Sequence, residues 1–184
     1  MSTEDVVRAM NGDHDAYAAL VGAASTRLYA LACLILRDSA RAEDATQEAF
    51  VRAWRELPRL RDAERFDAWL RRLVVNACYD EARRVRRRAE VTFLNVAERH
   101  VIDTSAAMAQ SDRIERAFRQ LPLDQRTVLV LQHYFGLSHS EIAETVGVPL
   151  GTVKSRVRYG VAAMRSALDA DDRSDDQRAE RTSA

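Results

Sequence analysis

Apolar residues recur every three or four positions through Asp15–Leu36, at Leu20, Leu28, Leu31 and Ile35, which predicts a helix. A second helix is expected to start after Asp38 or Ser39, either of which can cap it, and to run to about Leu57, where Pro58 stops it. Residues 58–64 read as a short polar loop. A long helix then spans about Phe66 to Arg87, with Phe66, Trp69, Leu70, Leu73, Val74 and Ala77 sharing one face. Clean periodicity is lost over residues 89–110, although Val91, Phe93, Leu94, Val96, Val101 and Ile102 make this more than a polar tether. Several helices follow over residues 111–168. Met1–Met10 reads as loosely ordered, and residues 169–184 as a disordered tail. The expectation is an all-α chain: a helical domain over 10–88, a linker over 89–110, and a second small helical domain over 111–168.

The sharpest local signal lies in the second domain. Ser138 and Glu141 form an S-x-x-E capping box for a short helix to Val146. Gly147 can turn with positive φ, and Pro149 suits the first turn of the next helix. Two helices joined by a tight glycine turn make a helix-turn-helix, or a generic helical hairpin. In the second helix Val153, Val157, Val161, Met164 and Leu168 form an apolar stripe, which is core. Opposite it lie Thr152, Ser155 and Tyr159, with Lys154 and Arg158 flanking one side and Arg156 the other. A polar strip bordered by cations suits base edges in a major groove with phosphates on both walls. No acid is mixed into that face, which disfavours a merely solvated surface.

Composition changes the picture only through its distribution. The 184 residues carry 28 basic and 28 acidic side chains, a net charge of zero. Yet Arg71–Arg88 is +5, Leu150–Ser166 is +4, and the tail from Asp169 is −3. Lys154 is the only lysine. The cationic side of the long helix carries Arg72, Val75, Tyr79, Arg83 and Arg86, with Asn76 beside them. Such a face suits a single nucleic-acid strand, with arginines on the backbone and Tyr stacked on a base. A solvated Arg-rich helix end has the same spacing. On the preceding helix Thr46, Ala49, Phe50, Ala53, Trp54 and Leu57 face inward, whereas Asp44, Glu48, Val51 and Arg55 face out with Gln47 at the border. That outer strip fits either a basic protein partner or a plain salt-bridged surface.

Other classes find little support. There is no P-loop, no G-x-S-x-G and no H-E-x-x-H, and His14, His100, His133 and His139 are scattered, so no catalytic residue, metal or cofactor is expected. Cys33 and Cys78 lack metal-ligand spacing and read as small buried hydrophobes. No stretch reaches the roughly 18 consecutive apolar residues of a membrane span. Met1–Asp15 lacks a signal-peptide pattern, so a cytoplasmic location without membrane insertion is expected.

Taken together, the motifs resemble a known family. The run AEDATQEAFVRAW from Ala42 to Trp54 resembles the polymerase-binding helix of bacterial sigma factors. Phe66-x-x-Trp69-Leu70, then Asn76 and Asp80-x-x-Arg83, resemble their promoter-melting helix. Leu121-Pro122, Arg126, Gly136-Leu137-Ser138, Glu141-Ile142-Ala143 and the run from Gly151 to Arg156 resemble their C-terminal DNA-reading domain. Order and spacing over about Asp15–Leu168 are similar to the short, two-domain extracytoplasmic-function group. The resemblance implies that Asp44, Gln47, Glu48 and Phe50 bind the β′ clamp helices of bacterial core RNA polymerase, and that the second domain meets the β flap. It implies that the loop from Pro58 to Phe66 takes a flipped base of the minus-ten element. Phe66, Arg72, Asn76, Tyr79, Arg83 and Arg84 would lie along that melted strand. Thr152, Lys154, Ser155, Arg156, Arg158 and Tyr159 would read the minus-thirty-five element of promoter DNA. An anti-sigma factor is a further implied partner. Two departures stand out: Pro149 replaces a common Ser cap, and Tyr159-Gly160 replaces a common Arg-Ala pair. A stand-alone regulator would leave the N-terminal motifs unexplained, and a decoy that binds only an anti-sigma factor would not need Lys154, Ser155 and Arg156.

Overall fold

Ser2 opens the first helix, α1 (Thr3–Met10), its hydroxyl accepting the Glu4 N–H at 3.2 Å, as an N-cap serine does. The computed structural model describes residues 2–91 and 109–182, with side chains described for 2–88 and 113–170. Most of the expected linker lies outside these residues. The helices gather into two compact units. In the first, α1 corrects the expectation of a loose N-terminus: Val6 and Ala9, three apart, are buried where α1 meets the next helix and the turns near Pro58. A helix this short does not hold alone in water, so packing, not propensity, orders it.

Helix α2 (His14–Leu36) is capped by Asp13, which accepts the Ala16 N–H at 2.9 Å and holds Arg8 at 2.7 Å. By length and mean hydropathy it could cross a membrane, although Ser25, Thr26 and Arg27 interrupt its apolar residues. Leu20, Leu28, Leu31 and Ile35, however, are fully covered by the bundle, so α2 is its core helix. Helix α3 (Ser39–Glu56) starts on an Asp38 cap and buries Ala42, Ala45, Thr46, Ala49 and Ala53. These small residues let the helices approach closely. The expected polar loop is two 3-10 turns, Leu57–Arg59 and Ala63–Arg65.

Helix α4 (Phe66–Val91) packs against both α2 and α3. Phe66, Leu70, Leu73, Val74, Ala77 and Cys78 are buried, and so is Val75. Val75 was expected beside the arginines. A helix packed on two neighbours buries more than one stripe, which leaves the cations a narrower face.

The second unit holds α5 (Ala109–Arg119), α6 (Leu123–His133), the start of α7 (His139–Val146) and α8 (Leu150–Thr182). A continuous run of α6, Thr127 to Leu131, is buried, as suits a central helix. The capping box of α7 is present. Ser138 Oγ accepts the Glu141 N–H at 3.3 Å, and Glu141 Oε2 accepts the Ser138 N–H at 2.8 Å. Gly147 turns at φ +73°. Pro149 stands just before α8, and its carbonyl accepts the Thr152 N–H at 2.9 Å. Helix α8 packs on α5 and α6, and the Arg113 side chain donates to the Leu168 carbonyl at 3.2 Å.

Two features of α8 differ from the sequence reading. Gly160, not Val161, faces the core: Gly160 is buried, whereas Val161 is 38% exposed. A Cβ at Gly160 would meet Leu129 Cδ1 at 3.0 Å and Gln125 Cβ at 3.4 Å, so the missing side chain sets how closely α8 approaches α6. The helix also continues to Thr182 through the residues read as a disordered tail. Neither Gly nor Pro interrupts Val161–Thr182, and those are the two residues most costly within a helix.

Replacing Gly160 with Leu is expected to overpack Leu129 and to cost about 1–3 kcal/mol in urea unfolding. An unchanged midpoint and slope would show that the α6–α8 contact is not tight.

Candidate nucleic-acid interface

The first turns of α8 present a short exposed face. Lys154, Arg158 and Tyr159 are exposed, Tyr159 at 55%. Arg158 donates to the Tyr159 hydroxyl at 3.1 Å, and its guanidinium carbon lies 4.8 Å from the ring centroid. This pair keeps a cation and a flat π face together at the surface, a combination that can meet phosphate and base at once. Thr152 and Ser155 are half-buried at its edge, and Ser155 Oγ donates to the Thr152 carbonyl at 2.9 Å.

Arg156 has a different environment from the other expected readers. Its Nη2 lies 2.6 Å from Asp124 Oδ2 of α6, and its side chain is only 22% exposed. The guanidinium is committed to holding α8 on α6. Asp124 lies 32 positions earlier in the chain, and nothing in the local pattern signals this partner.

On α4, Arg72 and Arg83 are exposed, and Asn76 and Tyr79 are half-buried along the same strip. Arg83 is bonded to Asp80, while Arg84 pairs at 2.8 Å with Glu81, a buried carboxylate. Both pairs span three residues, a helical spacing legible in the sequence. Phe66 requires a correction: it is 1% exposed, packed with Trp69 at a ring-centroid distance of 5.8 Å, and is not available to a DNA strand. It opens α4 with its ring buried in the bundle.

Asp44, Gln47 and Glu48 are all exposed on α3, with Val51 at 47% among them. Gln47 donates to Glu43 at 3.2 Å, and Glu48 lies 3.6 Å from Arg52. Phe50 is half-buried off this strip, and its carbonyl accepts the Tyr17 hydroxyl at 2.6 Å. Burial pushes the Tyr17 phenol up to about 12. Burial likewise pushes the Cys78 thiol to about 12, helped by Cys33 nearby. Cys78 therefore stays a protonated, unreactive core group. Cys33 is half-buried.

The described residues are helical throughout, and a helix-turn-helix with cationic faces on α4 and α8 has the features of a nucleic-acid-binding protein. Comparison with known proteins makes this specific. The Sigma-70 region 2 family matches residues 20–88, and the Sigma-70, region 4 family matches residues 111–164. The ECF RNA polymerase sigma factor SigW of Bacillus subtilis is 30% identical over 181 residues, covering 91% of this chain and 97% of SigW. SigM of Mycobacterium tuberculosis, another ECF sigma factor, is 35% identical over 157 residues, covering 85% of this chain and 79% of SigM. Among solved structures, CnrH in complex with the cytosolic domain of CnrY superposes with a TM-score of 0.66 at 26% identity, covering 92% of this chain and 97% of CnrH. RpoE of Bartonella quintana, solved with the anti-sigma factor NepR, shares the fold with a TM-score of 0.66 at 23% identity, covering 84% of this chain and 98% of RpoE. The chain belongs to the extracytoplasmic-function RNA polymerase sigma factors, a family of transcription initiation factors rather than catalysts.

The Asp124–Arg156 pair predicts unequal effects of two neighbouring truncations. Arg156→Ala leaves Asp124 unpaired and removes packing, and is expected to cost about 1–2 kcal/mol in chemical denaturation. Lys154→Ala is expected to stay within about 0.5 kcal/mol of the parent. Equal stability of the two variants would remove Arg156 from the α6–α8 contact.

Proposed function

We propose that this chain joins bacterial core RNA polymerase and directs it to promoters by a division of labour between its two units. In this reading the first unit, residues 10–88 with α1 added to it, docks polymerase and holds the melted minus-ten strand. Residues 111–168 read the minus-thirty-five element, and residues 89–110 connect them. The observation that carries the reading is the acid-free face at the start of α8, where Lys154 and the Arg158–Tyr159 pair stand exposed on a helix anchored from behind.

The mechanism follows from physical chemistry. Lys154 and Arg158 supply phosphate contacts that set register, while Thr152, Ser155 and Tyr159 lie where base edges pass. Arg156 acts behind this face by fixing the angle of α8. On α4, Arg72, Arg83 and Arg84 hold the strand backbone, Tyr79 offers a stacking face, and Asn76 offers an amide to a base. The 58–65 turns take an extruded base, which offsets part of the few kcal/mol of unpairing. Promoter opening is thereby favoured without any covalent step by this chain. Asp44, Gln47 and Glu48, with exposed Val51 at the end of their strip, present acidic groups beside an apolar spot to a basic helical surface of polymerase. Polymerase and chromosome share the bacterial cytoplasm, which supports a cytoplasmic location. RpoE was solved with the anti-sigma factor NepR, and CnrH with the cytosolic domain of CnrY. These complexes support an anti-sigma factor as a third partner here.

Lys154→Ala combined with Arg158→Ala is expected to lower run-off transcription from a cognate promoter about tenfold or more, because two phosphate contacts that set register are lost together. Polymerase binding should be retained. Unchanged transcripts would remove these side chains from the reading face. Glu48→Arg is expected to weaken affinity for core polymerase about tenfold or more, by placing like charges in contact. Native affinity in a pull-down titration would refute the docking strip.

A further inference from the structure

Asp80 belongs to the motif of the strand-binding helix, yet an acid is an unexpected neighbour for DNA phosphates. Its surroundings suggest a task. Four side chains on α3 and α4 form a ladder of alternating charge. Glu48 Oε1 lies 3.6 Å from Arg52 Nη2, and Arg52 Nη1 lies 3.7 Å from Asp80 Oδ2. Asp80 accepts a hydrogen bond from Arg83 through its other oxygen, Oδ1. One end of the ladder, Glu48, is on the strip assigned to polymerase. The other end, Arg83, is on the strip assigned to the DNA strand.

Both middle members are shared. Arg52 serves two acids through different nitrogens, and Asp80 serves two cations through different oxygens. Their side chains are 34% and 40% exposed, so water screens them only partly. A shared ion answers the loss of one partner by strengthening its hold on the other. A polymerase cation on Glu48 therefore leaves Arg52 to Asp80, and an Asp80 neutralised by Arg52 holds Arg83 less tightly. Arg83 is flanked along the helix by Arg84, Arg86 and Arg87. Their repulsion favours its move onto a phosphate once Asp80 lets go.

We propose that Asp80 is a positioning residue that holds Arg83 off DNA in the free chain, and that docking at Glu48 releases Arg83 through Arg52. The inference rests on the assignments of Glu48 and Arg83 made above. It makes strand binding conditional on polymerase binding, so the free chain is restrained from occupying DNA on its own.

The test measures binding of the full chain to fluorescein-labelled oligodeoxythymidine by anisotropy at about 0.15 M salt, where charges more than about 8 Å apart are largely screened. Exposed ion pairs shift equilibria by roughly two- to fivefold. Asp80→Asn should therefore tighten binding about threefold. Asp67→Asn removes the same charge from the same helix but breaks a pair with Arg27 instead. It should change affinity less than about 1.5-fold. The Asp80→Asn gain should vanish in an Arg83→Ala background. Glu48→Gln should tighten binding about twofold, and that gain should vanish in an Arg52→Ala background. A gain equal to that of Asp67→Asn, or one that survives Arg83→Ala, would reduce the effect to general charge and overturn the gate. The parallel measurement is melted-strand binding by the polymerase complex. If Arg83→Ala binds there like the parent, the strand assignment and the gate fall together. If Arg83→Ala is weakened there while Asp80→Asn leaves the free chain unchanged, the gate alone falls.

Discussion

The first unit depends on one constraint: α4 must be gripped firmly enough to hold a run of arginines in place. A helix that is +5 from Arg71 to Arg88 repels itself and has no reason to stay fixed on charge grounds. Its grip is apolar. Phe66, Leu70, Val74, Val75 and Cys78 are all buried against α2 and α3. Fully burying a large apolar side chain stabilises by about 1.5–3 kcal/mol. The remaining face is relieved locally by Asp80 and Glu81, each bonded to the arginine three residues on. The arginines therefore stay where the apolar core puts them.

The second unit solves the related problem of presenting a thin, exposed reading face on one side of a helix that must be fixed from the other. Three of the contacts that do this come from small or charged residues of α8. Val153 is buried at the start of α8, Arg156 reaches back to Asp124, and Gly160 lets Leu129 approach to within contact distance. A bulkier residue at 160 would push the helix away from α6. Gly160 weakens helix propensity by up to about 1 kcal/mol, and the close approach to α6 is what that weakness makes room for.

The local pattern carried the helices of residues 14–91, the capping box of α7 and the turn at Gly147, because each is decided by spacing within a few residues. It also carried the motif order, and so the family. Apart from the tail, whose helix runs on without Gly or Pro, what it missed was decided by contacts between distant segments. Helix α1 is ordered by a bundle that its own short window does not contain. Val75 was misplaced because α4 packs on two helices, and a single-stripe reading allows for only one. Arg156 read as a DNA contact because its partner, Asp124, is on another helix. Phe66 was assigned both to the core and to the strand; burial at 1% exposure decides between them. Spacing says which side of a helix a residue is on, and only packing says what is there to meet it.

A chain of zero net charge that binds DNA keeps its acids out of the stretch from Leu150 to Ser166. At physiological salt, charges more than about 8 Å apart are largely screened. A phosphate near the start of α8 therefore responds to Lys154 and Arg158 and hardly at all to the acids after Asp169. Local attraction survives while the long-range pull on bulk DNA is removed. That suits a protein whose two cationic faces must each be weak alone. Linked through 89–110 and engaged together, they bind with the product of their affinities scaled by an effective concentration, and that gain is lost wherever only one element is present. Strong attraction to any duplex would erase this discrimination, because the non-specific term grows with every phosphate neutralised. Neutrality overall with cations confined to two short faces is thus a condition for selecting promoters by the simultaneous presence of two elements.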